Sequence, residues 1–360
     1  MIPGAGDVRI RRLVSYLGSI ENLYKSKPEL LAKIPGVGEV LSKQIYNGLK
    51  NKEILRRSEL EIAFIEKYKL NTHFFLDENY PFRLQQCEDA PLLFFTLGEC
   101  NLNKSKVIAI VGTRMPTSQG RDFTRKLVQA LSVNHPDIII ASGLAYGIDI
   151  TAHKTALASN LDTVAVLGHG FDTIYPPSHK TTAQEIVKKG CLVTEFFSQQ
   201  GPEKPNFVKR NRIIAGLSDA VIVVEAGLRS GALITADIAN SYNRDVFAVP
   251  GRASDPKSAG PNFLIKSNRA ALIESAEDVL HFLRWNNPKE NKIKQADLFS
   301  NFTDDEKKIY NLLLTEGDCP VDIISRNTGF APGKLSTILL NLEFQGTIEC
   351  LPGKVYKLCR

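Results

Sequence analysis

Glycine follows an apolar run at four places in this sequence, and each time its neighbours suit a phosphate group. The turns are Gly112-Thr113-Arg114 after residues 107–111, Ser142-Gly143 after 138–141, Gly168-His169-Gly170 after 163–167, and Glu225 to Gly231 after 220–224. A residue without Cβ lets backbone amides approach an anion, and a helix that follows turns its positive end to the same place. Ser142 and Ser230 add hydroxyl donors, and Arg114 adds a permanent charge. One such turn is common in proteins. Four at the same edge of one sheet predict a phosphate cradle.

The second grouping is Asn206-Phe207-Val208-Lys209-Arg210-Asn211-Arg212. Lys209, Arg210 and Arg212, beside the ring of Phe207 and the amide of Asn211, suit a nucleic-acid backbone with one stacked base. A solvated helix start is the simpler alternative. The run leads straight into Ile213-Ile214-Ala215-Gly216-Leu217, however, so it is held against a core, which favours binding.

Catalytic arrangements are scarce. Asp149 and His153 lie one helical turn apart on a shared face, and a structural hydrogen-bonded pair is the expected reading over an acid/base couple. Neither the phosphate-binding lysine loop of nucleotide hydrolases nor the three-glycine dinucleotide fingerprint occurs. The six cysteines (Cys87, Cys100, Cys191, Cys319, Cys350 and Cys359) form no Cys-x-x-Cys pair. No enzyme, cofactor or metal is expected.

The elements that must position these residues can be read from periodicity. Apolar runs at 107–111, 138–141, 163–167, 192–194, 220–224 and 246–249 lack polar alternation and are separated by helical stretches such as 123–131, 149–158, 182–188 and 234–242. That pattern predicts an α/β fold: an extended Rossmann-like, doubly wound parallel sheet over 105–284, with its ligand beyond the strand ends. Residues 1–70 are expected to form a helical helix-hairpin-helix or SAM-like domain. Ile2-Pro3-Gly4-Ala5-Gly6 and Ile34-Pro35-Gly36-Val37-Gly38 serve as its turns, the first, opening at Met1, lacking a leading helix. Residues 71–104 are read as a connector with short strands near 92–97, and 285–301 as a polar linker. Within 302–360, a capping box at Thr303–Glu306 starts the first of three helices. The others fall near 321–328 and 332–344. A hairpin turning at Pro352-Gly353 completes a winged helix.

Bulk composition excludes other classes. The chain has 360 residues, 43% of them hydrophobic and 23% charged, and a net charge of +6 that leans mildly towards polyanions. No apolar run is of bilayer length and no signal peptide is recognisable, so a cytoplasmic protein without a membrane partner is expected.

In order along the chain, residues 111–114, 142–153, 166–177, 207–218, 225–236 and 246–251 resemble the motifs of the DNA-processing protein A family, also called DprA or Smf. The flanking helical and winged-helix segments are similar as well. The resemblance implies a non-enzymatic protein that binds and protects single-stranded DNA entering the cell in natural transformation, dimerises through its Rossmann-like domain, and loads the RecA recombinase. By resemblance, Gly112, Arg114, Ser142, Gly143, Lys209, Arg210, Asn211, Arg212 and Ser230 line the DNA pocket, with Phe207 as the stacking platform. Thr194-Glu195 stands where the family has Ser-Glu, and Asn268 where it has glycine.

Two rivals follow from the same residues. A Rossmann-like nucleoside-monophosphate phosphoribohydrolase is the alternative, but its Pro-Gly-Gly-x-Gly-Thr loop is absent. Residues 229–235 read Arg-Ser-Gly-Ala-Leu-Ile-Thr, with Asp237 as the near carboxylate. A sequence-specific winged-helix regulator is the other. Residues 332–344 offer Lys334 as their one cation, so weak duplex binding is expected there.

Overall fold

The computed structural model describes residues 2, 4–104, 106–285, 302–351 and 354–358. The expected linker, apart from Trp285, lies outside these residues, as do Pro3, the Pro352-Gly353 turn and Cys359. The chain divides into two compact units, Met1–Trp285 and Asn286–Arg360.

The first unit opens with helices α1 (Asp7–Leu17), α2 (Ile20–Lys25), α3 (Pro28–Leu31), α4 (Gly38–Leu49) and α5 (Lys52–Tyr68). Leu13, Leu23, Leu31 and Ile45 form the core shared by the first four. The turn between α3 and α4 needs its glycines: Gly36 and Gly38 both have left-handed backbone, at φ 83° and 62°.

Among the described residues, nine strands make one sheet in this unit, in the order β1-β2-β6-β5-β4-β3-β7-β8-β9. They are β1 (Asn71–Phe74), β2 (Leu93–Gly98), β3 (Val107–Val111), β4 (Ile139–Ser142), β5 (Asp162–Val166), β6 (Cys191–Thr194), β7 (Ala220–Val223), β8 (Asp245–Ala248) and β9 (Ala271–Leu272). From β6 to β9 all pairings are parallel. Helices α6 (Phe82–Gln85), α7 (Ser118–Asn134), α8 (Ile148–Ala158), α9 (Lys180–Lys189), α10 (Lys204–Leu217), α11 (Gly231–Ser241), α12 (Ala259–Lys266) and α13 (Ala276–Phe282) complete the unit.

Strand alternation explains why the sequence runs are wholly apolar. Along β3, Val107, Ala109 and Val111 enter one core with α10 and α11, while Ile108 and Ile110 enter a second core with α7, α8 and α13. Both faces are covered, so neither set tolerates polar residues.

The segment read as a connector is part of this sheet. β2 pairs antiparallel with β6, and β1 antiparallel with β2. Arg83 on α6 secures it: its guanidinium is buried and donates to Asp219 from Nε at 2.7 Å and from Nη2 at 2.8 Å. Asp219 in turn accepts the amide of Val107 at the start of β3. Asn268, where glycine was expected, has φ 54°, a left-handed conformation that asparagine adopts more easily than most residues.

The second unit contains α14 (Asp304–Glu316), β10 (Cys319–Pro320), α15 (Val321–Thr328), α16 (Pro332–Phe344), β11 (Ile348–Leu351) and β12 (Val355–Leu358). Thr303 and Glu306 form the expected capping box. Ile309, Leu313, Ile324, Leu335, Leu339 and Leu342 build its own core under the sheet β10-β12-β11, giving a winged helix.

Candidate nucleic-acid interface

The sheet order reverses direction at β3, whose neighbours are β4 on one side and β7 on the other. Loops leaving β3 and β7 therefore part from one another, and a crevice opens between them. A cleft of about 400 Å³ lies there. Gly112, Thr113 and Arg114 supply one wall, Ser230 and Gly231 another, and the first turns of α10 the third.

Glycine serves close packing in these turns. A Cβ on Gly112 would sit 2.5 Å from Cγ1 of Ile148 and 3.0 Å from the carbonyl oxygen of Glu225. The amide of Thr113 donates to that same carbonyl at 2.6 Å, and the amide of Ile148 to the carbonyl of Thr113 at 3.2 Å. Both amides are spent joining one turn to the next, contrary to the expectation that they face a ligand. Gly168 makes room for an aromatic ring, since its Cβ would fall 2.7 Å from Cδ1 of Phe207.

Phe207 is the centre of the cleft's recognition surface. Its ring lies 5.8 Å from the Arg114 guanidinium, 6.0 Å from that of Arg210, and 5.7 Å from the ring of Tyr175. Lys204, one turn earlier on the same face of α10, also lines the cleft. Sequence reading missed Lys204; its i, i+3 spacing from Phe207 was the available signal. The hydroxyl oxygen of Ser230 is buried and has no hydrogen-bond partner among the described residues. A buried hydroxyl without a partner costs free energy, which an anionic oxygen placed in the cleft would recover.

Arg210 lines the cleft from below. It is 5% exposed, and its Nη1 donates to the carbonyl of Gly143 at 2.8 Å and to that of Val166. Gly143 is required by this contact, because a Cβ would meet the guanidinium at 2.5 Å. Burial lowers the Arg210 pKa to about 10, against the favourable pull of Asp149. The Asp149 carboxyl is pushed up by burial despite Arg210, and accepts the amide of Gly143 at 3.1 Å. Asn211 closes the group, accepting from Arg210 Nε at 3.3 Å and donating to the carbonyl of Gly231 at 3.3 Å.

Four expected pocket residues lie elsewhere. The hydroxyl of Ser142 donates to the carbonyl of Ile110 at 2.6 Å inside the sheet. Gly143 sits behind the Arg210 guanidinium and does not line the cleft. Lys209 and Arg212 point away from it, since successive helix positions turn by about 100°. Both pair with Glu195 just after β6, Lys209 at 2.8 Å, and Arg212 also reaches Asp7 at 3.2 Å and so binds α10 to the start of α1.

Asp149 and His153 do not hydrogen-bond to each other as expected. His153 Nδ1 lies 2.7 Å from Thr163 Oγ1, whose own proton goes to the carbonyl of Ile140. That geometry fixes the neutral imidazole with its proton on Nδ1, and burial lowers the His153 pKa to about 3. Asp237, the carboxylate on which phosphoribohydrolase chemistry would rest, is ion-paired to Arg269 and is not among the residues lining the cleft. In the winged helix, Lys334 is paired with Asp305 at 2.7 Å. No helix among the described residues is long and apolar enough to cross a membrane.

The fold and site define a class: a Rossmann-like protein with a basic, aromatic cleft at its topological switch point, carrying a helix-hairpin-helix segment before it in sequence and a winged helix after it. Residues 71–284 match the family described as DNA recombination-mediator protein A, residues 295–354 its winged-helix domain, and residues 1–51 a SAM-like helix-hairpin-helix tandem. The chain belongs to the DNA-processing protein A (DprA/Smf) family. Protein Smf of Synechocystis is 34% identical over 99% of this chain and 96% of its own. The crystal structure of DNA processing protein A from Streptococcus pneumoniae matches 77% of this chain and 93% of its own, at 33% identity and TM-score 0.66. The solved structure of the Helicobacter pylori protein, described for its single-stranded DNA binding mode, matches 61% of this chain and 98% of its own, at 30% identity and TM-score 0.55.

Proposed function

We propose that this protein binds single-stranded DNA in the cleft at the ends of β3 and β7, without catalysing a reaction on it. The observation that carries this reading is the convergence of Arg114, Lys204 and the unpaired Ser230 hydroxyl around the half-buried ring of Phe207. The cations and hydroxyl suit phosphate, and the ring suits a base that has left its stack, which a duplex does not present. The Helicobacter pylori relative is described as binding such strands, which supports the assignment. The pairing of Asp237 with Arg269 speaks against hydrolysis of a bound nucleotide.

Protection of incoming DNA, loading of the RecA recombinase in natural transformation or recombination, and a homodimer formed through the Rossmann-like domain complete the proposal. These rest on family membership. The test is a comparison of affinity for single-stranded and duplex DNA of equal length at two salt concentrations. Single strands are expected to bind at least ten-fold more tightly, with little preference for base sequence. Equal affinity for both forms would overturn the reading.

A further inference from the structure

A second groove, of about 580 Å³, opens on the other side of Arg114. Arg114 lines both spaces, so the groove continues from the central cleft. Its other walls include Arg121 on α7, Tyr146 just before α8, and Lys257 just before α12. No lining residue is acidic.

Arg114, Arg121 and Lys257 form no ion pair among the described residues. They are nonetheless positioned. Arg121 Nη1 donates to the carbonyl of Pro116 at 3.0 Å, and the backbone of Lys257 is tied through its carbonyl to Ala226 and through its amide to Asp255. Tyr146 is 46% exposed, yet its ring is held edge-on against His179 at 4.9 Å and its hydroxyl accepts from Ser178. Three converging, uncompensated cations repel one another, and a chain of phosphates relieves that repulsion.

We propose that this groove carries the next stretch of the same DNA strand. Arg121 and Lys257 would neutralise phosphates beyond the one at Arg114, and Tyr146 would offer a second stacking platform. The inference rests on the cleft being the entry point for single-stranded DNA.

Strand length separates the two sites. An oligothymidylate of about four nucleotides is short enough for the cleft, whereas one of about 16 spans both sites. Binding of each to the full chain is measured by fluorescence anisotropy across a salt series. The changes Arg121→Gln and Lys257→Gln, at two half-buried positions, are combined, which preserves much of each side-chain stem. The double variant is expected to bind the short strand within two-fold of wild type and the long strand about ten-fold more weakly. The log–log salt slope for the long strand should become shallower by about 1.4, or about 0.7 per lost phosphate contact. Tyr146→Ala should weaken only the long strand, and Tyr146→Phe should not. Unchanged binding of the long strand, or equal loss on both lengths, would overturn the groove assignment. If Arg114→Ala and Phe207→Ala left both lengths unaffected, the central cleft itself would be misassigned.

Discussion

Three arginines near the cleft illustrate how far sequence proximity is from spatial role. Arg114 is exposed and free to meet a ligand, Arg210 is a buried support, and Arg212 holds a different part of the chain. Replacement should therefore fail in different ways. Phe207→Ala is expected to leave the melting temperature nearly unchanged while weakening single-strand binding by about 1–3 kcal/mol. Arg210→Ala leaves the buried carbonyls of Gly143 and Val166 without their donor and should destabilise the fold by about 2–6 kcal/mol, at about 1–3 kcal/mol for each orphaned group, measured by urea unfolding. Equal stability of the two variants would contradict this division. His153 gives a pH dependence. Its folded pKa is near 3 and its unfolded value near 6.5, so the unfolded chain takes up a proton first as pH falls. Its contribution is complete above pH 6.5 and is lost progressively down to about 3. Between pH 7 and pH 5 this amounts to about 2 kcal/mol from this residue. The change in unfolding free energy over that interval should be smaller by that amount in His153→Gln, whatever its absolute stability.

At the level of elements, legibility followed the range of the interactions involved. Helices 321–328 and 332–344 and the capping box at Thr303 were readable because their signals are local: a cap, a period and a proline at the first turn. The parallel strands were readable because burial on both faces leaves them mostly apolar, their few buried hydroxyls (Ser142, Thr163, Thr194) each donating to a carbonyl. The antiparallel edge was not. β2 joins the sheet through β6, far along the chain, and no local pattern in 71–104 announces that partner. The directions of Lys209, Arg210 and Arg212 were equally hidden, because a run of cations reads as one patch until helical phase separates them. Arg83 makes the edge testable. Arg83→Leu leaves Asp219 without its guanidinium and should cost about 3–5 kcal/mol. Amide exchange should rise first in β1 and β2, while the central strands keep their protection. Uniform loss of protection across the sheet would mean that the edge has no separate docking step.

For the whole molecule, the two units have separate cores. A chain ending at Trp285 should fold, and should bind single strands within about three-fold of the full-length affinity, since every cleft residue lies within it. The isolated segment 302–360 should bind duplex DNA weakly and without sequence preference, its helix cation Lys334 being paired with Asp305. Tight selective binding by that segment would contradict the assignment of the site to the sheet.

Helix α10 sends Lys204 and Phe207 to the cleft, Arg210 to the turns after β4 and β5, and Lys209 and Arg212 to Glu195 and the start of α1. These residues therefore cannot vary independently. In a saturation library over 204–212, tolerated changes should be few and should fall at Pro205 and Asn206, which neither line the cleft nor join the contacts to Gly143, Val166, Glu195 or Asp7. Substitutions elsewhere along the helix should divide by phenotype, some lost to poor folding and others folding well but failing to retain DNA. A single nine-residue segment would then report, through folding and DNA retention scored separately, which of its faces each substitution disturbs.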